Sequence, residues 1–142
     1  MKSIKTEVLN DKLYKSTDLK DFLKENASHL RTDSFNHFLY DLITESKMKN
    51  SELFAKANMS ESYGYQLLNG KRQPSRDKIL QLAIGLSLDM EKTNQMLKLA
   101  EKSELYVKNK RDAVIMFAIV NKLNIIETNE LLDDEKHDLL SS

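Results

Sequence analysis

The chain has 142 residues, enough for one domain or for one domain with an appendage. Hydrophobic residues make up 40 % and charged residues 31 %, the balance of a soluble folded protein, and the absence of cysteine excludes disulfides and thiolate chemistry. Net charge is zero but unevenly spread: residues 46–86 carry seven basic and three acidic side chains, or +4, against −1 for 1–45 and −3 for 87–142.

One proline, three glycines and abundant Leu, Lys, Glu, Asn and Ile predict an all-helical chain. The start, MKSIKTEVLNDKLYKS, lacks the continuous apolar core of a signal peptide and reads as a loose arm. Thr17 is the expected N-cap of a helix with Leu19, Phe22, Leu23, Ala27 and Leu30 at helical spacing. A second helix opens at Thr32 or Ser34 and turns Phe35, Phe38, Leu39, Leu42 and Ile43 inward. After the polar break SKMKN, residues 51–57 form a short helix with Leu53 and Phe54 inward. Asn58 follows it, one of the few non-glycine residues that tolerate positive φ.

Ser60 caps a helix that runs to Leu68 and ends at Asn69-Gly70 in a left-handed cap. Lys71 to Pro74 is a loop, and Ser75 caps a helix with Ile79, Leu82, Ala83 and Leu86 inward. Another helix begins near Ser87-Leu88-Asp89 and carries Met96, Leu97, Leu99 and Ala100. Residues 111–122 are apolar on nearly every face, yet the run AVIMFAIV is too short to span a bilayer, so no membrane association is expected and the chain is expected to be cytoplasmic. Val114, Ile115, Phe117, Ala118 and Val120 are therefore expected to bury against the rest of the chain or a second subunit. Ile125 to Leu132 is a final short helix, followed by a frayed acidic tail, DDEKHD.

The stretch KNSELFAKANMSESYGYQLLNGKRQPSRDKILQLAIGL holds two short helices joined by a tight turn, with a basic loop after the second. It resembles, without a gap, the DNA-binding unit of the phage-repressor (Xre-like) helix-turn-helix family. The likeness covers residues 34–88 and is carried most by NGKRQPS and ILQLA. Three positions depart from the pattern. Phe54 stands where that family has a small alanine, Asn58 where it has a turn glycine, and Gly64 where it has an apolar anchor. Phe54 is expected to fill the space that Gly64 leaves, offsetting the 0.5–1 kcal/mol or so that a mid-helix glycine costs.

The resemblance implies an all-α, five-helix-type helix-turn-helix domain over 34–100, an extra N-terminal arm and helix over 1–33, and a C-terminal helical extension over 101–142. It further implies a repressor-like, sequence-specific transcriptional regulator that binds double-stranded DNA as a homodimer. Glu61, Ser62, Tyr65 and Gln66 would face base edges, while Asn50, Lys71, Arg72, Arg76 and Lys78 would hold phosphates. Tyr63 and Tyr65 cannot both face the core, and Tyr63 is expected inside.

No nucleophile with a base, phosphate-cradling glycine loop or carboxylate pair is legible, so no enzyme activity and no cofactor are expected. His29, His37 and His137 lack metal-ligand spacing, and Met48, Met59, Met90, Met96 and Met116 read as core filler. A rival reading keeps the scaffold without base reading: an interaction adaptor, antitoxin or antirepressor that binds a protein, with the C-terminal extension a further partner surface.

Overall fold

The computed structural model describes residues 6–25 and 34–141. Among them all regular structure is helical, with nine α-helices and no strand. None of these helices is long and apolar enough to cross a membrane. The chain forms two compact units, Met1–Thr32 and Asp33–Ser142.

The first unit holds α1 (Thr6–Lys15) and α2 (Leu19–Glu25). The expected loose arm is thus mostly helix, although α1 buries none of its residues. The start of α2 is capped by Asp18 rather than Thr17: its Oδ1 accepts from the Lys20 N–H at 2.8 Å and the Asp21 N–H at 3.3 Å. Phe22 is buried, while Leu19 and Leu23 stay exposed. Ala27, His29, Leu30 and Thr32 lie outside the described residues.

The second unit holds α3 (Phe35–Ser46), α4 (Asn50–Lys56), α5 (Glu61–Leu68), α6 (Arg76–Gly85), α7 (Met90–Leu99), α8 (Lys110–Val120) and α9 (Ile125–Asp134). Side chains cap six of their N-termini: Ser34, Ser60, Ser75, Asp89, Asn109 and Asn124 each accept from the backbone N–H three residues on. Such a bond satisfies one of the donors that a helix start leaves without a partner.

The C-termini reuse one device. After α4, α5, α6, α7, α8 and α9 the chain passes through a left-handed residue, and the next amide reaches back to the carbonyl five residues before it. Only Gly70 is a glycine; Asn58, Ser87, Glu101, Lys122 and Lys136 adopt φ between +54° and +62° with a Cβ in place.

Helix α6 is the hub. It packs against α4, α7 and α9 and is buried continuously from Ile79 to Leu86. A Cβ on Gly85 would lie 3.1 Å from the Ala57 amide nitrogen, so the end of α6 meets the end of α4 at backbone distance. Gln81 of α6, fully buried, donates from Nε2 to the carbonyls of Ala57 (2.8 Å) and Asn58 (3.2 Å), clamping the α4–α5 turn.

Helices α8 and α9 pack against each other, α8 against α7, and α9 against α6. Residues 101–141 therefore share a core with 34–100, through Leu105, Ile115, Ile119, Ile125, Leu132 and Leu140. The tail after α9 is not frayed. Leu140 is fully buried, and the Asn129 carboxamide bonds both its N–H and its C=O at 2.8 Å. Ile115 and Ala118 are buried as expected, but Phe117 and Val120 face outward.

Phe54, 1 % exposed, lies where a side chain on Gly64 would stand: a Cβ there would come within 2.5 Å of its ring carbons. Gly64→Val is expected to destabilise by about 1–3 kcal/mol through overpacking. Adding Gly64→Val to the cavity variant Phe54→Ala should recover part of that variant's loss. Thermal unfolding of the three variants checks this, and strictly additive losses would contradict it.

Glu101 is exposed at the left-handed end of α7, a conformation that disfavours any side chain. Glu101→Gly is expected to hold or raise stability, by up to about 1 kcal/mol, in the same assay.

Candidate nucleic-acid interface

Helix α5 is fixed on three sides. Ser60 Oγ accepts from the Tyr63 N–H at 3.2 Å, setting its start. Gly64 and Leu67 face the core, with Gly64 against Phe54, setting its depth. At its end, Asn36 Nδ2 from α3 bonds the Leu67 carbonyl and, at 3.4 Å, the Leu68 carbonyl, while the Lys71 and Arg72 amides take the Gln66 carbonyl. These bonds satisfy carbonyls that a helix end leaves open.

The opposite side carries Glu61, Ser62 and Tyr65, all exposed, and Gln66, half-buried. Positions three and four apart share a helix face, so the pairs 61/65, 62/66 and 62/65 bring these four side chains together. Tyr65 is 42 % exposed, and its ring meets Phe54 edge-on at 5.2 Å between centroids. Phe54 of α4 therefore also braces the outward tyrosine of α5. Gln66 Oε1 accepts from Arg72 Nε at 2.8 Å, which links the outward face to the basic loop.

Tyr63 is half-buried as the spacing predicts, and two cations crowd its ring: the Arg72 guanidinium at 5.1 Å and Lys78 Nζ at 5.3 Å. An aromatic face attracts cations through its quadrupole, so Tyr63 helps gather positive charge beside the end of α5. Lys71, Arg72 and Gln73 in the following loop are exposed, and Asn50 is half-buried at the start of α4.

Two of the cations assigned to phosphate have other work. Arg76 bonds Asp112 of α8 through two nitrogens at 2.8 Å and donates to the Ser103 and Glu104 carbonyls at 3.0 Å. This fork fastens the start of α6 to the C-terminal extension and engages a guanidinium that the resemblance would place on a phosphate. Lys78 Nζ donates to the Ser141 carbonyl at 2.6 Å, so it is tied to the tail. Burial lowers its pKa, which Asp77 partly opposes. A second fork, Arg111 to Asp77 at 2.9 and 3.0 Å, with a bond to the Asp138 carbonyl, runs in parallel from α8 to α6 and the tail. Pairs 34 and 36 residues apart carry no local signature in a sequence.

Burial pushes the Asp112 carboxyl up, but the Arg76 hydrogen bonds, the Tyr106 N–H at 3.0 Å and the charges of Arg76 and Arg111 outweigh it and hold the pKa below the ordinary carboxylate value. The same bonding raises the Arg76 pKa despite its partial burial. No family model, no curated protein and no solved structure matches this chain.

A carboxylate depressed in the folded state adds stability above its unfolded pKa of about 3.9, and that stability fades as pH falls through the folded value. Asp112→Asn is therefore expected to lower stability at neutral pH and to flatten the loss of stability below about pH 4. Arg76→Ala leaves Asp112 buried without its cation and should cost roughly 3 kcal/mol. Denaturant titrations of wild type and both variants at pH 7 and pH 3 test this. An unchanged acid limb in Asp112→Asn would refute it.

Proposed function

We propose that this protein is a sequence-specific DNA-binding regulator in which α4 and α5 act as a helix-turn-helix and α5 enters the major groove. The supporting observation is the outward face of α5: Glu61, Ser62, Tyr65 and Gln66 project together from a helix whose opposite face is locked to the core by Phe54 and Gly64. A rigid helix that presents polar side chains is what base reading requires, because the major groove distinguishes base pairs by donor and acceptor patterns. Gln66 pairs with adenine in this reading, and Tyr65 places its ring against a thymine methyl or a sugar edge. Glu61 accepts from cytosine.

Lys71 and Arg72 supply the phosphate contacts, with Asn50 from the start of α4. Lys78 contributes to this charge only where its tie to Ser141 yields. A homodimer on two-fold related half-sites makes up for the small footprint of a single helix. The rival adaptor reading draws on one specific observation: Arg76 and Arg111 are neutralised within the chain by Asp112 and Asp77, which thins the basic face.

Base-reading and phosphate residues separate under two treatments. Against a mixed-sequence duplex, the double variant Lys71→Ala with Arg72→Ala is expected to reduce the slope of log affinity against log salt by about 0.9 per lost contact. Gln66→Ala should leave that affinity unchanged, yet lose about 1–3 kcal/mol on a preferred site. Fluorescence anisotropy over a salt series reads both. A mixed-sequence affinity that ignores the loop variants would favour the adaptor.

A further inference from the structure

Helix α8 has two faces of different fate. Asp112, Ile115, Ala118 and Ile119 turn inward and are buried. Lys110, Ala113, Val114 and Phe117 turn the other way and form one wall of an open groove of about 670 Å³, whose far wall is Leu131, Glu135 and His137. Phe117 is 57 % exposed, and Val120, one turn further along the same side, is 65 % exposed. Contact surfaces are commonly built on exposed apolar side chains grouped in this way.

The charges at the groove's end are informative. Lys110 is the first residue of α8 and Glu135 is the C-cap of α9. Each has the sign that the helix dipole disfavours at its position, so neither charge serves the helix that carries it. Nor does either take part in an ion pair among the described residues. The four-residue turn 121–124 folds α9 back along α8, so the two charges stand on opposite walls at the same end of the groove.

We propose that a second copy of this chain occupies the groove. A two-fold axis along the groove sets α8 of one copy opposite α9 of the other. Lys110 then meets the partner's Glu135, and the reverse pair forms at once, while Phe117 of each copy enters the opposing apolar wall. A wall pair carrying one cation and one anion is complementary to itself, as a two-fold interface demands. Nucleic acid does not suit an apolar floor edged by a carboxylate. This inference places the surface of the dimer supposed above, and it can be tested without DNA.

Sedimentation equilibrium of the full chain in the absence of DNA decides it. Wild type is expected to populate a dimer, and Phe117→Asp to raise the dissociation constant roughly 30-fold or more, as loss of a central interface anchor does. Because Phe117 faces solvent in the monomer, the thermal melt of a dilute sample should stay unchanged. Lys110→Glu and Glu135→Lys should each weaken the dimer, and the double exchange should restore it. A chain that stays monomeric at all concentrations, a dimer indifferent to Phe117→Asp, or a double exchange no better than the single ones would overturn the proposal. A dimer that behaves as expected but binds no DNA would leave this surface standing and count against the regulator reading alone.

Discussion

The contact between Phe54 and Gly64 governs the geometry on which the functional reading depends. One aromatic ring fills the place of a side chain that the next helix omits, so α4 and α5 approach through a ring and a bare backbone. The ring is 1 % exposed and also carries the edge of Tyr65. A single side chain thereby sets the depth of α5 and the stance of one of its outward residues. Interiors are close-packed and bistable rather than soft, so the two positions have to be occupied as a matched pair. Gln81 adds a second constraint by binding the carbonyls at the end of α4 from α6. Its Oε1 is buried without a hydrogen-bond partner among the described residues, a penalty accepted where the other end of the amide fixes a turn.

Around that pair, α6 distributes the load. It is buried along its length and touches α4, α7 and α9, which joins the α4–α5 pair to the C-terminal helices in one core. Two arginine forks then cross between α6 and α8 in opposite senses: Arg76 on α6 to Asp112 on α8, and Arg111 on α8 to Asp77 on α6. Planar, bidentate bonds of this kind carry orientation as well as energy. They hold the C-terminal helices in register with the start of α6, which directly follows the basic loop. In doing so they engage two cations that a polyanion could otherwise meet, and the exposed positive charge directly after α5 is that of Lys71 and Arg72.

The parts of this architecture that were legible in the sequence are those with short-range causes. Ser34, Ser60 and Ser75 announce helix starts because a hydroxyl three residues before an open amide can cap it. Gly70 and Asn58 announce helix ends because they tolerate the left-handed region. Even the Phe54–Gly64 pair shows itself, as a large ring in one short helix and a bare glycine inside the next. Helix ends at Ser87, Glu101, Lys122 and Lys136 do not, because their side chains give no hint of positive φ and the conformation is imposed by the packing on either side. The acidic tail is a similar case: its charged residues suggest solvent, while Leu140 and Asn129 anchor it. The role of Arg76 was hidden for the opposite reason. A basic residue beside a basic loop gives no sign of the carboxylate that the fold brings up from 36 positions away.

Base reading by α5 is the step on which the regulator role depends. Selection of bound duplexes from a random-sequence pool by the full chain, followed by sequencing, measures this directly. Enrichment of a two-fold symmetric site is expected, with half-sites about one helical turn apart, as two copies of α5 related by a dyad require. A pool that remains as random after selection as before it would contradict base reading by α5.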